Sequence, residues 1–220
     1  MNIAPVFSIL GVLLTILSAT MLVPMLVDIS FGYQNWFGFA SAALISCFVG
    51  ISLWLTNRSK QELNLGLKEA FLLTNSAWVL SGIFGALPFL FSDLGLSFTD
   101  ALFESISGIT TTGSTILTTI ELASPGIILW RALLQWLGGI GIIVMALAIL
   151  PILSIGGMQL FKTETYEAND NAIPRARQLA GGIFGVYASL TLIWTAMLWL
   201  AGMSGFDALI HSMTTLATGG

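Results

Sequence analysis

The sequence contains very little charge. Only 8% of its 220 residues are Asp, Glu, Lys or Arg, whereas 56% are hydrophobic. An ordinary soluble domain carries roughly 25% charged residues, and a chain this poor in charge cannot cover a water-facing surface with polar groups. The composition therefore excludes a typical cytosolic enzyme and a disordered chain, and it predicts an integral membrane protein.

Cysteine, histidine and basic residues are also scarce. The single cysteine cannot form an internal disulfide, and seven Lys and Arg residues offer no basic surface for nucleic acid. One histidine cannot supply a His-Glu-x-x-His zinc motif, and no Gly-x-Ser-x-Gly sequence occurs. We therefore expect no enzyme activity, no catalytic residues, no covalently bound cofactor and no nucleic-acid partner.

Five stretches without charge are long enough to cross a lipid bilayer as helices, which takes about 20 mostly apolar residues. The predicted spans are residues 5–27, 36–56, 71–91, 132–155 and 179–201. Six of the seven basic residues lie at 58–68 and 162–177, between the second and third and between the fourth and fifth spans. Cytoplasmic loops carry an excess of Lys and Arg. This distribution predicts a multi-pass protein with its N-terminus in the cytoplasm.

Residues 92–131 are too polar to span a membrane and too apolar for a simple loop. Within them, residues 98–109 predict a short helix capped by Thr99 or Asp100. Such a helix is about 18 Å long, so it can enter a bilayer without crossing it. The TTTGS segment at residues 110–114 follows it. This order is typical of a re-entrant pore loop, whose carbonyl oxygens replace the hydration shell of an alkali cation. The alternative is an external loop rich in threonine.

The pore-loop pattern occurs twice. Residues 100–113, DALFESISGITTTG, align with residues 207–220, DALIHSMTTLATGG, at an offset of 107 positions. Internal repeats of this kind build transport pathways. The predicted fold class is an all-α integral membrane protein, with helix–pore-loop–helix repeats preceded by an N-terminal helix pair. The pair takes residues 1–62, the first repeat residues 63–160, and the second repeat residues 161–220. Because the second repeat has no closing helix, we expect the chain to be part of a longer one.

Three segments carry a resemblance to a known family. Residues 103–114, FESISGITTTGS, resemble the first pore loop of TrkH-type potassium uptake proteins. The WRALLQWLGGIG segment at residues 130–141 resembles the start of the helix that follows, and residues 211–220, HSMTTLATGG, resemble the second pore loop. The resemblance implies K⁺ as the transported ion and four repeats around one path. It also implies a location in the cell inner (cytoplasmic) membrane, a homodimer and a cytosolic nucleotide-binding regulatory subunit.

The predicted selectivity filter consists of backbone groups. The carbonyl oxygens of Thr110, Thr111 and Thr112 would bind the cation, with Gly113 as the turn; we name these residues the first pore loop. By resemblance, residues 217–220 form the second pore loop. Its members are Ala217, Thr218, Gly219 and Gly220. No metal site other than K⁺ at this filter is expected.

Two ionisable residues occupy equivalent positions in the helical segments that precede the two pore loops, which we name the pore helices. Glu104 and His211 are predicted to support the neighbouring loops by hydrogen bonds, with a proton relay as the alternative reading of ionisable groups at membrane depth. Arg131 is expected to brace the first loop by pairing with Glu121 or Asp100, or else to tune the electric field at the pore entrance.

The helix after the first pore loop and the long polar segment at residues 162–178 carry further signals. Gly138, Gly139 and Gly141 are expected to allow close helix packing, with a hinge as the alternative. Tryptophans near span ends, Trp130 among them, are expected to anchor the protein at the membrane interface. Residues 162–178 are expected to form a cytoplasmic connector that either faces the regulatory subunit or is simply solvated.

The predicted function is K⁺ uptake across the cytoplasmic membrane through a channel-like pore, as a subunit of a Trk-type system. Two alternatives remain open: a non-transporting, truncated membrane scaffold, and a Na⁺/K⁺ transporter of the same family.

Overall fold

A computed structural model describes residues 3–58, 67–118, 120, 123–153 and 172–220. The described residues fold into α-helices. In chain order they are α1 (Ala4–Thr20), α2 (Leu22–Phe31), α3 (Trp36–Asn57), α4 (Leu67–Gly85), α5 (Leu87–Leu90), α6 (Phe98–Ile109), α7 (Pro125–Leu153), α8 (Ala172–Leu200) and α9 (Gly205–Leu216). The predicted all-α class is confirmed.

Within the described residues, five segments are long and apolar enough to cross a membrane, as predicted. They are Ala4–Phe31, Trp36–Asn57, Lys68–Leu90, Pro125–Ile143 and Gly181–Leu200. The first is broken at Met21 into α1 and α2, and the third is broken at Ala86 into α4 and α5. A proline follows each break, Pro24 and Pro88, and its missing N–H and ring disturb the helix on its N-terminal side.

The fourth span begins earlier than predicted, at Pro125 rather than at residue 132. Its N-terminus is capped by a distant residue, the fully buried Asp28 of α2. The Asp28 carboxylate accepts hydrogen bonds from the Gly126 amide at 2.7 Å and from the Ser124 hydroxyl at 3.1 Å. A carboxylate at this position also complements the positive end of the helix dipole. The sequence prediction missed this start because the cap comes from another helix.

The apolar fifth span, Gly181–Leu200, agrees with the predicted residues 179–201, but its helix begins before the span. Helix α8 starts at Ala172, so the predicted connector at residues 162–178 is helical over its last part. The remainder of that connector, residues 162–171, lies outside the described residues.

One apolar core joins the N-terminal helix pair to the first repeat. Trp130 of α7 is fully buried in it, lies edge-on to Phe39 of α3 and donates its indole N–H to the Gly85 carbonyl of α4 at 3.0 Å. The prediction of Trp130 as an interfacial anchor is therefore wrong. A tryptophan side chain buries a large apolar area, and here its N–H has a hydrogen-bond partner, so the core is the favourable place for it.

If the spans alternate in direction, the α2–α3 loop and the α5–α6 loop lie on the same side of the membrane. In the structure these two loops are in contact. The Asn35 side chain, between α2 and α3, exchanges two hydrogen bonds with Asp93, between α5 and α6. At the same end, Phe31 lies 5.9 Å, centroid to centroid, from Phe206 at the start of α9. This end of the bundle carries the connections that lead into both short helices, α6 and α9.

Candidate functional site

The two short helices begin with the same hydrogen bonds. Ser97 caps α6 by accepting from the Asp100 amide at 3.2 Å, and its hydroxyl donates to the Asp100 carboxylate. Ser204 and Asp207 repeat both contacts at α9. The predicted cap, Thr99 or Asp100, is thus corrected to Ser97. The predicted extent of the helix, residues 98–109, is the observed one.

The first pore loop begins with a helix-ending turn. The Thr111 amide donates to the Gly108 carbonyl at 2.9 Å, and the Thr112 amide donates to the Ser107 carbonyl at 3.0 Å. These two bonds define a Schellman motif, in which the residue after the cap is left-handed. That residue here is Thr111, with φ of 57°. The chain therefore reverses abruptly at the end of α6.

The second pore loop repeats this turn. The Thr218 amide donates to the Thr215 carbonyl at 2.9 Å, and the Gly219 amide donates to the Thr214 carbonyl at 3.0 Å. Thr218 has a φ of 59°. Each turn is followed two residues later by a glycine with positive φ, 78° at Gly113 and 75° at Gly220. The 107-residue repeat in sequence is therefore a repeat in backbone conformation.

Both turns hold a strained threonine. Glycine is the usual residue at this position of a Schellman motif, and a β-branched residue with positive φ is a genuine outlier. Such a conformation costs on the order of 1–3 kcal/mol, and outliers of this kind cluster at ligand-binding sites. Thr111 and Thr218 therefore mark the two loops as places where the backbone path matters more than local stability.

Several carbonyl oxygens in the two turns accept no hydrogen bond from the described residues. Among the hydrogen bonds of the described residues, none is accepted by the carbonyl oxygens of residues 110–112 or 217–219. The corresponding amides are consumed by the helix-ending bonds. Since most backbone carbonyls in proteins are paired, these oxygens are available to water or to a cation.

The carboxylate of Glu104 lies behind the first pore loop. Glu104 is fully buried and accepts from the Thr115 hydroxyl at 2.6 Å and the Ile116 amide at 2.7 Å. Its other oxygen faces Arg131 Nε of α7 at 2.8 Å. Arg131 thus pairs with Glu104, not with Asp100 as predicted; the other predicted partner, Glu121, lies outside the described residues. The ion pair ties the segment after the loop to both α6 and α7.

This arrangement is not repeated at the second loop. His211, the position equivalent to Glu104, has an exposed side chain. Helix α7 instead supplies the contact: a Cβ on Gly219 would collide with the side-chain oxygen of the buried Gln135. The second loop is therefore backed by a neighbouring helix rather than by its own pore helix.

Two glycines let α7 approach both loops. A Cβ on Gly138 would collide with the Ile109 carbonyl at the end of α6, and one on Gly139 would lie 3.3 Å from the Cα of Ala217. Gly141, in contrast, has nothing within 4 Å of its Cβ position. Close packing thus holds for the first two glycines and not for the third.

The two loops also touch each other. A Cβ on Gly113 would collide with the carbonyl oxygen of Gly219. The structure thus brings the predicted filter residues of both loops to one place, with α7 beside them.

Several of these contributors were not predicted from the sequence. The capping pairs Ser97–Asp100 and Ser204–Asp207 had a visible signal, since Ser-x-x-Asp before an apolar helix is a capping motif. Gln135 had a weaker signal, because it is a polar residue in an otherwise apolar span. These are the residues that begin the pore helices and back the second loop.

Comparison with known proteins agrees with this architecture. The family model described as TrkH, cation transport protein, matches residues 37–220. The potassium uptake protein TrkI of Halomonas elongata is 42% identical over 99% of the chain and 44% of its own length. The potassium uptake protein TrkH of Escherichia coli is 41% identical over the whole chain and 46% of its own length.

A solved structure is similar as well. The crystal structure of the potassium transporter TrkH from Vibrio parahaemolyticus superposes with a TM-score of 0.83 at 38% identity, over 97% of the chain and 42% of that protein. The chain thus spans less than half the length of these relatives. Its helices, its paired pore loops and the family model over residues 37–220 show that the chain belongs to the TrkH family of cation transport proteins.

Proposed function

We propose that the two pore loops supply part of a K⁺ selectivity filter and that the chain serves in K⁺ uptake across the cytoplasmic membrane. The observation that carries this proposal is the set of unpaired carbonyl oxygens at residues 110–112 and 217–219, on two loops with the same backbone turn. Carbonyl oxygens on neighbouring loops can replace the hydration shell of K⁺. The potassium uptake activity named for the relatives supports the same ion.

The helices that precede the loops add a favourable field. Both α6 and α9 end at a pore loop, and the C-terminal end of a helix carries a partial negative charge. Two such ends beside the same site favour a cation there. Each short helix therefore both positions a loop and stabilises the ion that passes it.

Membership of the TrkH family supports a larger assembly. We propose that the chain works in an inner-membrane Trk-type system, with the N-terminus in the cytoplasm, as a homodimer with a cytosolic nucleotide-binding subunit. The system name of the relatives supports a multi-component assembly. The clustering of Lys and Arg at residues 58–68 and 162–177 supports the orientation.

The test replaces a loop glycine. Gly113→Ser puts a side chain on a backbone with φ of 78° and against the Gly219 carbonyl. The matched control is Gly95→Ser, since Gly95 has a φ of 65° and nothing within 4 Å. Both variants are made in the complete product of the gene and expressed in a strain that lacks K⁺ uptake.

We expect the wild type and Gly95→Ser to restore growth at low K⁺ and to prefer K⁺ over Na⁺. Gly113→Ser should lose that preference. Unchanged K⁺/Na⁺ discrimination in Gly113→Ser contradicts the filter assignment. Failure of the wild type to restore growth favours the scaffold alternative, and equal uptake of both ions by the wild type favours the Na⁺/K⁺ alternative.

A further inference from the structure

Two buried polar atoms beside the second pore loop lack a hydrogen-bond partner among the described residues. They are the side-chain oxygen of Gln135 and the hydroxyl of Tyr187. Gln135 is 1% exposed and Tyr187 is 6% exposed. Buried polar atoms in proteins are nearly always hydrogen-bonded to protein or to an ordered water. Two such atoms beside the same loop point to a shared partner.

Both atoms lie against the same face of α7. Gln135 contacts Gly219, and the Tyr187 hydroxyl lies 2.6 Å from the Cβ position of Gly139. Gln135 and Gly139 are four residues apart on the helix and so share a face. Gly139 in turn lies against Ala217 of the loop. The two polar atoms therefore flank the backbone of residues 217–219.

The Tyr187 hydroxyl is held in this position by its surroundings. Its ring lies 5.4 Å, centroid to centroid, from the ring of Trp136. The Trp136 indole donates to the Thr191 hydroxyl at 3.0 Å, and that hydroxyl donates to the Tyr187 carbonyl at 2.8 Å. Ring and backbone are thus fixed together, and the hydroxyl stays next to α7.

The first loop has no equivalent of this tyrosine. The position 107 residues before Tyr187 is Leu80, whereas Glu104 and Arg131 brace the first loop. The second loop has the exposed His211 in place of Glu104. The pair of buried polar atoms occurs at the loop that lacks the carboxylate brace.

We propose that Gln135 and Tyr187 are positioning residues of the second pore loop, joined by one buried water. The Tyr187 hydroxyl donates to the water, and the water donates to the Gln135 oxygen. A buried water typically makes about three hydrogen bonds, so its second O–H can donate to one loop carbonyl, whose other lone pair stays available to the ion. This proposal rests on the proposed function, because its consequence is that the bridge holds the carbonyl oxygens of residues 217–219 at the spacing that suits K⁺.

The test removes each end of the bridge. Tyr187→Phe deletes only the hydroxyl, and Gln135→Met deletes the acceptor while keeping the side-chain length. The double variant removes both, and Tyr33→Phe, at an exposed tyrosine in the α2–α3 loop, is the control. Uptake of K⁺ with Na⁺ as competitor is measured in the complete gene product. Hydrogen exchange of the amides at residues 214–220 and 104–116 is measured on the purified protein.

We expect each single variant to lower the K⁺/Na⁺ preference about tenfold, which corresponds to about 1.4 kcal/mol. The double variant should lose no more than a single one, because both side chains bind the same water. Exchange should quicken at residues 214–220 but not at 104–116, whereas a folding failure would quicken both. Tyr33→Phe should match the wild type.

Two results overturn the proposal: single variants with the wild-type preference and exchange rates, or losses that multiply in the double variant. If the wild type takes up no K⁺, the proposed function fails, and the exchange data decide the bridge alone. The bridge is then supported if hydrogen exchange becomes faster only at residues 214–220 and is no faster in the double variant than in a single variant. Wild-type exchange rates in the variants refute it.

Discussion

Replacing Glu104 with Gln should expose how much the first pore loop depends on its buried ion pair. One carboxylate oxygen accepts from the Thr115 hydroxyl and the Ile116 amide. A glutamine must keep its oxygen there, since both partners are donors. Its NH₂ group then faces Arg131 Nε, also a donor, in place of a 2.8 Å ion pair.

The expected loss of stability follows from the burial of this ion pair. The Glu104 side chain is fully buried and that of Arg131 is only 11% exposed. Removing one partner of a buried ion pair leaves an uncompensated charge and costs about 3–5 kcal/mol. Arg131→Met in the Glu104→Gln background removes that charge as well. The double variant should therefore be more stable than Glu104→Gln alone.

The assay is thermal unfolding of the purified protein in detergent, with K⁺-dependent growth as the functional readout. Glu69→Gln, the same chemical change at a carboxylate in the first turn of α4, is the control and should stay within about 0.5 kcal/mol of wild type. The reasoning is refuted if Glu104→Gln is as stable as the control. It is also refuted if the losses of the two single variants simply add in the double variant.

Three further tests probe the supports of the pore loops by the same unfolding assay. Asp28→Asn removes the charge that caps α7 and should cost about 1 kcal/mol; a wild-type midpoint would contradict that role. Gly138→Ala drives a methyl group into the carbonyl at the end of α6 and should cost about 1–3 kcal/mol, while Gly141→Ala, which has free space, should cost nothing. Ser97→Ala and Ser204→Ala each remove a helix cap and should cost about 1 kcal/mol; clearly unequal losses would contradict the equivalence of the two pore helices.

Much of the fold follows from local sequence because a membrane accepts few backbone conformations. Within a bilayer every backbone polar group needs a partner, so long apolar stretches must be helices. The uncharged stretches between charged residues therefore predict all five spans. The short helix at residues 98–109 and its 107-residue repeat are likewise local features. Helix ends were less predictable: α7 starts at Pro125 because Asp28, nearly a hundred positions away, caps it.

By itself, the sequence determined the membrane class, the spans, the pore helices and the two loops, since each of these depends on neighbouring residues. Only the tertiary structure decided which side chains meet. Arg131 pairs with Glu104 because α6 and α7 pack there, and Gln135 meets Gly219 because Gly138 and Gly139 let α7 approach the loops. The two loops share a backbone conformation because their sequences are similar. Their supports differ because different side chains pack behind them.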